Sequence, residues 1–208
     1  MKGVYFDTLH SYRDFNLILS AVNIPPATPK TNFIDVDGAD GSLDLTEASG
    51  EIKYNDRKGS LTFSVLPEDD FEKKKSDISN VINGQRFLIT LDKDIEYYYI
   101  GRCSINNYKE DKKLRQIVVD MQLQPYKYKQ NITVVEATAG TVILKNDRKS
   151  VVPSITVTEE TTLTFKGNEY TRNAGTHKIL DIQLLYGDNE ITIDTAGTVT
   201  FEYQEGSL

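Results

Sequence analysis

The chain has 208 residues, 38% hydrophobic and 26% charged, with 24 basic against 31 acidic side chains and a net charge of −7. That length holds one large domain or two small ones, and the composition is that of a globular protein, neither disordered nor membrane-spanning. A pI near 4.9 argues against sequence-specific nucleic-acid binding, which calls for a basic face, and the single cysteine, Cys103, excludes an intramolecular disulfide framework.

The first residues, Met1-Lys2-Gly3-Val4-Tyr5-Phe6-Asp7, lack the long apolar core of a signal peptide, and no run approaches the roughly 20 apolar residues of a membrane span. The expectation is a chain made and folded in a reducing cytoplasm. The segment 32–58 reads as the least globular part. Ile34-Asp35-Val36-Asp37-Gly38-Ala39-Asp40-Gly41 is polar and glycine-containing, and Leu43, Leu45, Ile52 and Tyr54 are its candidate apolar anchors. It reads as an extended arm or long hairpin, with Asp35, Asp37 and those four anchors as the candidate elements of a subunit interlock; a plain surface loop is the other reading. Next, Leu61, Phe63 and Val65 alternate with Thr62 and Ser64, the period of a half-buried strand.

One segment breaks this period. Pro67 and the acidic Glu68, Asp69 and Asp70 precede Phe71, Ile78 and Ile82 at helical spacing, with Val81 beside them and Gly84 as a terminal stop. These signals predict a single helix over 69–83. Lys73-Lys74-Lys75 within it reads as a solvated face balanced by Glu72 and Asp77. Alternation then resumes at Phe87, Ile89 and Leu91 and again at Ile117, Val119, Met121 and Leu123; Ile95-Glu96-Tyr97-Tyr98-Tyr99-Ile100 between them is β-prone. The corner Pro125-Tyr126-Lys127-Tyr128 suits the end of a strand, because proline cannot donate to a ladder. A boundary is expected at 128–131, giving domains of 1–130 and 131–208. The first carries 18 basic and 20 acidic residues, the second 6 and 11.

Beyond the boundary the expected strands are shorter. A Gly167-Asn168 loop joins two β-prone runs, Gly187-Asp188-Asn189 leads into Ile191 and Ile193, and Ala196-Gly197 leads into Val199, Phe201 and Tyr203. Short strands at regular spacing with glycine turns predict a sandwich. The expected fold is mainly β: an N-terminal β-barrel- or sandwich-like domain with one helix, then a small C-terminal β-sandwich.

Chemistry finds little purchase. Asp35, Asp37 and Asp40 with Gly38 and Gly41 invite a calcium reading, but an EF-hand register started at Asp35 puts Ala39, Asp40 and Thr46 where a ligand, the glycine and the glutamate belong. The segment reads instead as an Asx-rich turn. His10 and His177, the two histidines, read as surface or boundary residues, and Cys103 on a strand reads as a small core hydrophobe. No nucleophile elbow, P-loop or dinucleotide fingerprint is present. Among 31 acidic residues, no particular carboxylate pair stands out as a glycosidase signal. Tyr170, Tyr186 and Tyr203 are candidates for stacking a sugar, in a chain with no tryptophan. No catalytic, cofactor or metal site is expected.

Taken in order, Gly3-Val4-Tyr5-Phe6, Ile24-Pro25-Pro26, the Ile34-to-Thr46 stretch, Gly59-Ser60-Leu61-Thr62-Phe63, the helix, Asn83-Gly84-Gln85, Tyr98-Tyr99-Ile100-Gly101-Arg102, Pro125-Tyr126-Lys127 and the closing Gly197-Thr198-Val199-Thr200-Phe201-Glu202-Tyr203 form a pattern. This order and spacing resembles the distal tail protein family of long-tailed bacteriophages and related prophages, over essentially the whole chain. The resemblance implies a non-enzymatic virion component at the tail tip, or baseplate hub. Its N-terminal domain would form a homohexameric ring that continues the tail tube and lets DNA pass. Its C-terminal domain would be a galectin-like β-sandwich facing outward. The implied partners are other copies of itself, the tail tube, tail-associated baseplate proteins and, in some phages, receptor-binding proteins, for whose arms the short C-terminal region leaves little room. The resemblance implies no cofactor and no membrane. Two other readings are a carbohydrate-binding host-recognition module and a wall-degrading enzyme.

Overall fold

The structure, a computed structural model, describes residues 3–48, 50–66, 69–110 and 115–208. The chain divides into two compact units, Met1–Pro125 and Tyr126–Leu208. The fold is mainly β, with one α-helix among the described residues.

The first unit contains β1 (Val4–Phe6), β2 (Leu9–His10), β3 (Leu17–Asn23), β4 (Phe33–Asp35), β5 (Ser42–Asp44), β6 (Arg57–Val65), α1 (Phe71–Ile82), β7 (Arg86–Leu91) and β8 (Tyr97–Glu110), and most of β9 (Arg115–Lys129). Seven of these strands form one sheet in the order β2-β1-β7-β8-β9-β6-β3, while β4 and β5 form a two-stranded sheet among the described residues. The central pairing sets β6 antiparallel to β9 with Leu61 opposite Val119 and Phe63 opposite Ile117. Because side chains alternate across a strand, this register turns Leu61, Phe63, Ile117, Val119, Met121 and Leu123 to one side, where all are buried. Phe6 packs against Phe63 and Phe87, with ring centroids 6.3 and 5.5 Å apart.

The helix supplies Phe71, Ile78 and Ile82 to the same core. Asp70 caps it by accepting the Lys73 N–H at 3.1 Å; the expected Pro67 and Glu68 signals lie outside the described residues. The lysine run is less solvated than its composition suggests. Lys74 Nζ donates to the Phe15 carbonyl at 2.7 Å, and Lys75 pairs with Glu72 at 2.5 Å while its ammonium lies 4.5 Å from the centre of the Phe71 ring. Glu72 is the expected partner one helical turn away, whereas the Phe15 carbonyl is brought to Lys74 by the fold and is not visible in a reading along the chain.

Two motif glycines are explained by close approach. A Cβ on Gly101 would lie 2.5 Å from Leu123 Cδ2 and 2.7 Å from the Gln122 carbonyl, and one on Gly59 would lie 2.8 Å from the Asn23 carbonyl. Neighbouring strands leave no volume for a methyl group there.

His10, expected as a surface or boundary residue, is more enclosed than that. It is buried on β2, 4.6 Å from the Tyr5 ring. Its Nδ1 accepts the Arg13 N–H at 3.2 Å, so Nε2 carries the hydrogen facing Asp92 Oδ2 at 3.2 Å. Asp92 also accepts the Gly3 N–H at 2.6 Å. The short β1–β2 turn folds His10 back beside the end of β7, a juxtaposition set by sheet topology.

The second unit begins in the last residues of β9 and continues through β10 (Thr133–Ala137), β11 (Gly140–Asn146), β12 (Ser154–Val157), β13 (Thr161–Phe165), β14 (Asn168–Arg172), β15 (Gly175–His177), β16 (Gly187–Thr195), β17 (Val199–Tyr203) and β18 (Gly206–Ser207). Two four-stranded sheets, β10-β17-β12-β15 and β11-β16-β13-β14, face one core. Ile155, Val157, Val199 and Phe201 enter it from the first sheet and Leu144, Leu163, Phe165, Ile191 and Ile193 from the second, which makes the unit a sandwich. The expected Gly-Asn loop is shifted by one residue. Phe165 pairs with Asn168, so the turn residues are Lys166 and Gly167, with φ of 50° and 81°. A two-residue turn that follows sheet twist needs positive φ at both centres, and glycine at the second relieves half of that cost. At the chain's end β18 pairs with Tyr128 and Lys127, and buried Glu205 accepts from Lys129 at 2.7 Å and from the Thr133 hydroxyl at 2.5 Å.

Ile78→Ala should lower the stability of the first unit by about 2–5 kcal/mol, and Gly101→Ala by about 1–3 kcal/mol through overpacking. Lys109→Ala, on the exposed rim of β8, should stay within about 0.5 kcal/mol. Denaturant unfolding of the three variants measures this ranking.

Candidate assembly arm

Between the end of β3 at Asn23 and the start of β6 at Arg57 the chain leaves the sheet and returns as a two-stranded ribbon. Its rungs fall in two groups, one at the base and one at the tip. Asn55 N–H donates to the Thr28 carbonyl at 2.9 Å, Lys30 N–H to Lys53 at 2.8 Å, and Leu45 N–H to Asn32 at 2.8 Å. Pro29 bridges Tyr54, and the distal end is the β4–β5 pair, with Phe33 opposite Asp44, Ile34 opposite Leu43 and Asp35 opposite Ser42. The returning strand is pinned where it joins β6. Arg57 is buried, donates through Nε to the Pro125 carbonyl at 2.8 Å and lies 5.9 Å from the centre of the Tyr99 ring. Burial pushes its guanidinium pKa down from the ordinary arginine value.

The distal ribbon has no core of its own. Phe33 is 59% exposed and Leu43 54%, and Ile34 and Val36 are exposed beside them. Three large apolar side chains on a two-stranded pair, with Val36 next to it, are unusual, since such a pair is marginal alone and exposed apolar groups that cluster mark interaction surfaces. Residues 32–48 also carry Asp35, Asp37, Asp40, Asp44 and Glu47 and no lysine or arginine. Asp35 accepts the Ser42 hydroxyl at 2.6 Å. The Thr46 hydroxyl and N–H hold the Asp44 carboxyl below its usual range. The arm thus presents a greasy ribbon with an acidic tip.

The residues singled out from the sequence distribute along this ribbon unevenly. Asp35 and Asp37 are exposed towards its tip. Leu45, Ile52 and Tyr54 are half-buried nearer the sheet, but Leu43 is exposed and anchors nothing, because the pair β4–β5 has no second layer to bury it. Phe33, Ile34 and Val36 are not among the expected anchors, and three large hydrophobes inside an otherwise polar stretch are the sequence signal for this exposed surface.

Other candidate positions resolve differently. Cys103 is fully buried, and that burial pushes its thiol pKa up to about 12, the opposite of an activated nucleophile. Tyr203 is buried with its hydroxyl donating to the Lys145 carbonyl at 2.6 Å, which removes it as a sugar platform. Tyr170 is half-buried against the sandwich core, whereas Tyr186 is 70% exposed. His177 Nε2 lies 2.8 Å from the Asn173 carbonyl. Among the described residues no group of three or more His, Cys, Asp or Glu side chains could hold a metal ion, and no helix is long and apolar enough to cross a membrane.

These features define a class of β-rich fold: a sheet unit with one α-helix among the described residues and a ribbon-like arm, followed by a compact sandwich. Among solved structures, the chain matches the Dit protein (gp 19.1) of SPP1, described as a paradigm of the hub adsorption apparatus in phages that infect Gram-positive hosts. The match covers 98% of this chain and 99% of that one, with a TM-score of 0.69 and 13% sequence identity. At this identity the likeness is one of fold, and it extends across both units. No protein-family model and no curated protein matches the sequence.

Replacing Phe33 and Leu43 by serine should leave the unfolding free energy within about 0.5 kcal/mol of the parent, since neither contributes to a core. Circular dichroism during urea titration measures it. Cys103 should stay unreactive to a disulfide reagent at pH 8 in the folded chain and react at once in denaturant.

Proposed function

We propose that this chain is a structural subunit of the distal end of a long phage tail, a hub that assembles as a ring between the tail tube and the tail-tip complex and lets DNA pass. The observation that carries this reading is the whole-length likeness to the SPP1 hub protein, unit for unit. The motifs in order along the sequence point the same way independently. The ring is proposed to be a homohexamer formed by residues 1–130, with the arm as its interlock. Residues 131–208 form a galectin-like outward domain. The apolar ribbon of Phe33, Ile34, Val36 and Leu43 supports the interlock, because a subunit surface of that kind gains free energy when a neighbour covers it. An acidic subunit suits a conduit, since repulsion keeps a polyanion sliding. In this reading the protein is a virion component and acts on no substrate.

Mass measurement and negative-stain imaging of the purified chain, alone and with tail extract, should reveal a six-fold ring. The F33S/L43S variant should stay folded and fail to form it. A phage that builds normal tail tips without this protein would overturn the proposal, as would a strongly basic inner wall for the conduit argument. A second reading, sugar binding by the sandwich, is favoured by a polar cleft of about 620 Å³ lined by Asn168, Glu169, Tyr170, Leu180, Asp181 and Gln183. A glycan array with no signal would remove it.

A further inference from the structure

We propose that Asp37 and Asp40, at the tip of the arm, are sites of spontaneous backbone isomerisation to isoaspartate. The chain contains two Asp-Gly steps, Asp37-Gly38 and Asp40-Gly41, and one Asn-Gly step, Asn83-Gly84. Both Asp-Gly steps fall in the turn between β4 and β5, and all four residues are exposed. Isomerisation starts when the backbone nitrogen of the following residue attacks the side-chain carboxyl. It therefore needs a carboxyl without partners and a nitrogen that is neither donating a hydrogen bond nor shielded by a side chain.

The arm tip meets each condition. Asp35 and Asp44, at the strand ends, have their carboxylates occupied by Ser42 and Thr46. Among the described residues, Asp37 and Asp40 have no hydrogen-bond or ion-pair partner. The backbone hydrogen bond within this turn runs from Ala39 N–H to the Val36 carbonyl at 3.1 Å, and among the described residues the Gly38 and Gly41 nitrogens have no acceptor. Open space surrounds the position a Cβ would take on either glycine. Asn83-Gly84 is an internal control with the reverse geometry. Its Oδ1 accepts the Ile105 N–H at 3.0 Å, and the Gly84 N–H donates to the Cys103 carbonyl at 2.8 Å. The nucleophile is engaged and its target is held in place.

In the first step the Gly38 nitrogen, losing its proton, forms a bond to Cγ of the protonated Asp37 carboxyl. The Cγ–O bond breaks and water leaves, closing a five-membered succinimide. In the second step water adds to one of the two ring carbonyls. Opening on one side restores the aspartyl link; opening on the other routes the backbone through Cβ and Cγ and leaves a free α-carboxylate. One water leaves and one enters, with no change in oxidation state or net charge. The same sequence applies to Asp40 and Gly41. The product lengthens the turn by one methylene and disturbs the register that sets Asp35 opposite Ser42. The arm tip is then the place where the free subunit ages chemically.

The test incubates the full-length protein at neutral pH and physiological temperature, then locates isoaspartate by methyltransferase labelling and peptide fragmentation. IsoAsp should accumulate with time at positions 37 and 40 and stay absent at position 83. The D37E/D40E variant, whose ring closure would need a slower six-membered imide, should lose most of the label. Absence of isoaspartate at both sites, over a period in which denatured chain acquires it, would overturn the proposal. So would equal conversion at Asn83 in the folded chain. A further comparison rests on the interlock reading: in assembled rings a covered tip should convert several-fold more slowly. An unchanged rate there leaves isomerisation supported and counts against the interlock alone.

Discussion

The inward-facing side chains of β6 and β9 stand opposite one another, Leu61 against Val119 and Phe63 against Ile117, and the N-terminal unit is arranged around this double row. Side chains alternate strictly along a strand, so a slip of one residue would carry the entire row into solvent and bring Thr62, Ser64, Val118 and Asp120 inside. Each large aliphatic or aromatic side chain kept in the row contributes about 1.5–3 kcal/mol relative to exposure, which makes the register strongly specified. The other placements depend on it. Phe6 meets Phe63, the helix lays Phe71, Ile78 and Ile82 on the same core, and Gly101 and Gly59 lack side chains where neighbouring backbone comes close.

The arm obeys a different constraint. Its rungs pair part of the backbone, yet among the described residues Phe33, Ile34, Val36 and Leu43 find no second layer. A surface that is apolar on its flanks and acidic at its tip is solvated well enough to persist and covered favourably by a suitable neighbour. The sheet is thus strongly specified from within, and the ribbon is not. The sandwich belongs with the first kind, since its two sheets bury Leu144, Ile155, Leu163, Phe201 and their neighbours against each other.

Most of the architecture was legible because it rests on local periodicity. The alternating runs at Leu61, Phe87 and Ile117, the stripe of Phe71, Ile78 and Ile82, and the burial of Cys103 follow from spacing that any reader of the chain can see. The departures share one cause. His10 is enclosed because Asp92 and the Arg13 backbone lie against it, and Lys74 is engaged because the Phe15 carbonyl lies within reach. The deciding neighbours, Asp92 and Phe15, are remote in sequence. Leu43 failed as an anchor for the complementary reason, that a hydrophobic side chain signals burial only when a partner layer exists.

By itself the sequence determined the β character, the single helix, the absence of any disulfide framework and the acidic, polar nature of the segment that became the arm, because alternation, helical spacing, cysteine count and charge are properties of the chain read residue by residue. Only the tertiary structure decided which apolar residues remain uncovered, which polar ones are enclosed, and that the Asn-Gly step is locked while the Asp-Gly steps are free. Those outcomes depend on neighbours distant in sequence, and it is packing that brings them within the few ångströms over which hydrogen bonds and van der Waals contacts act.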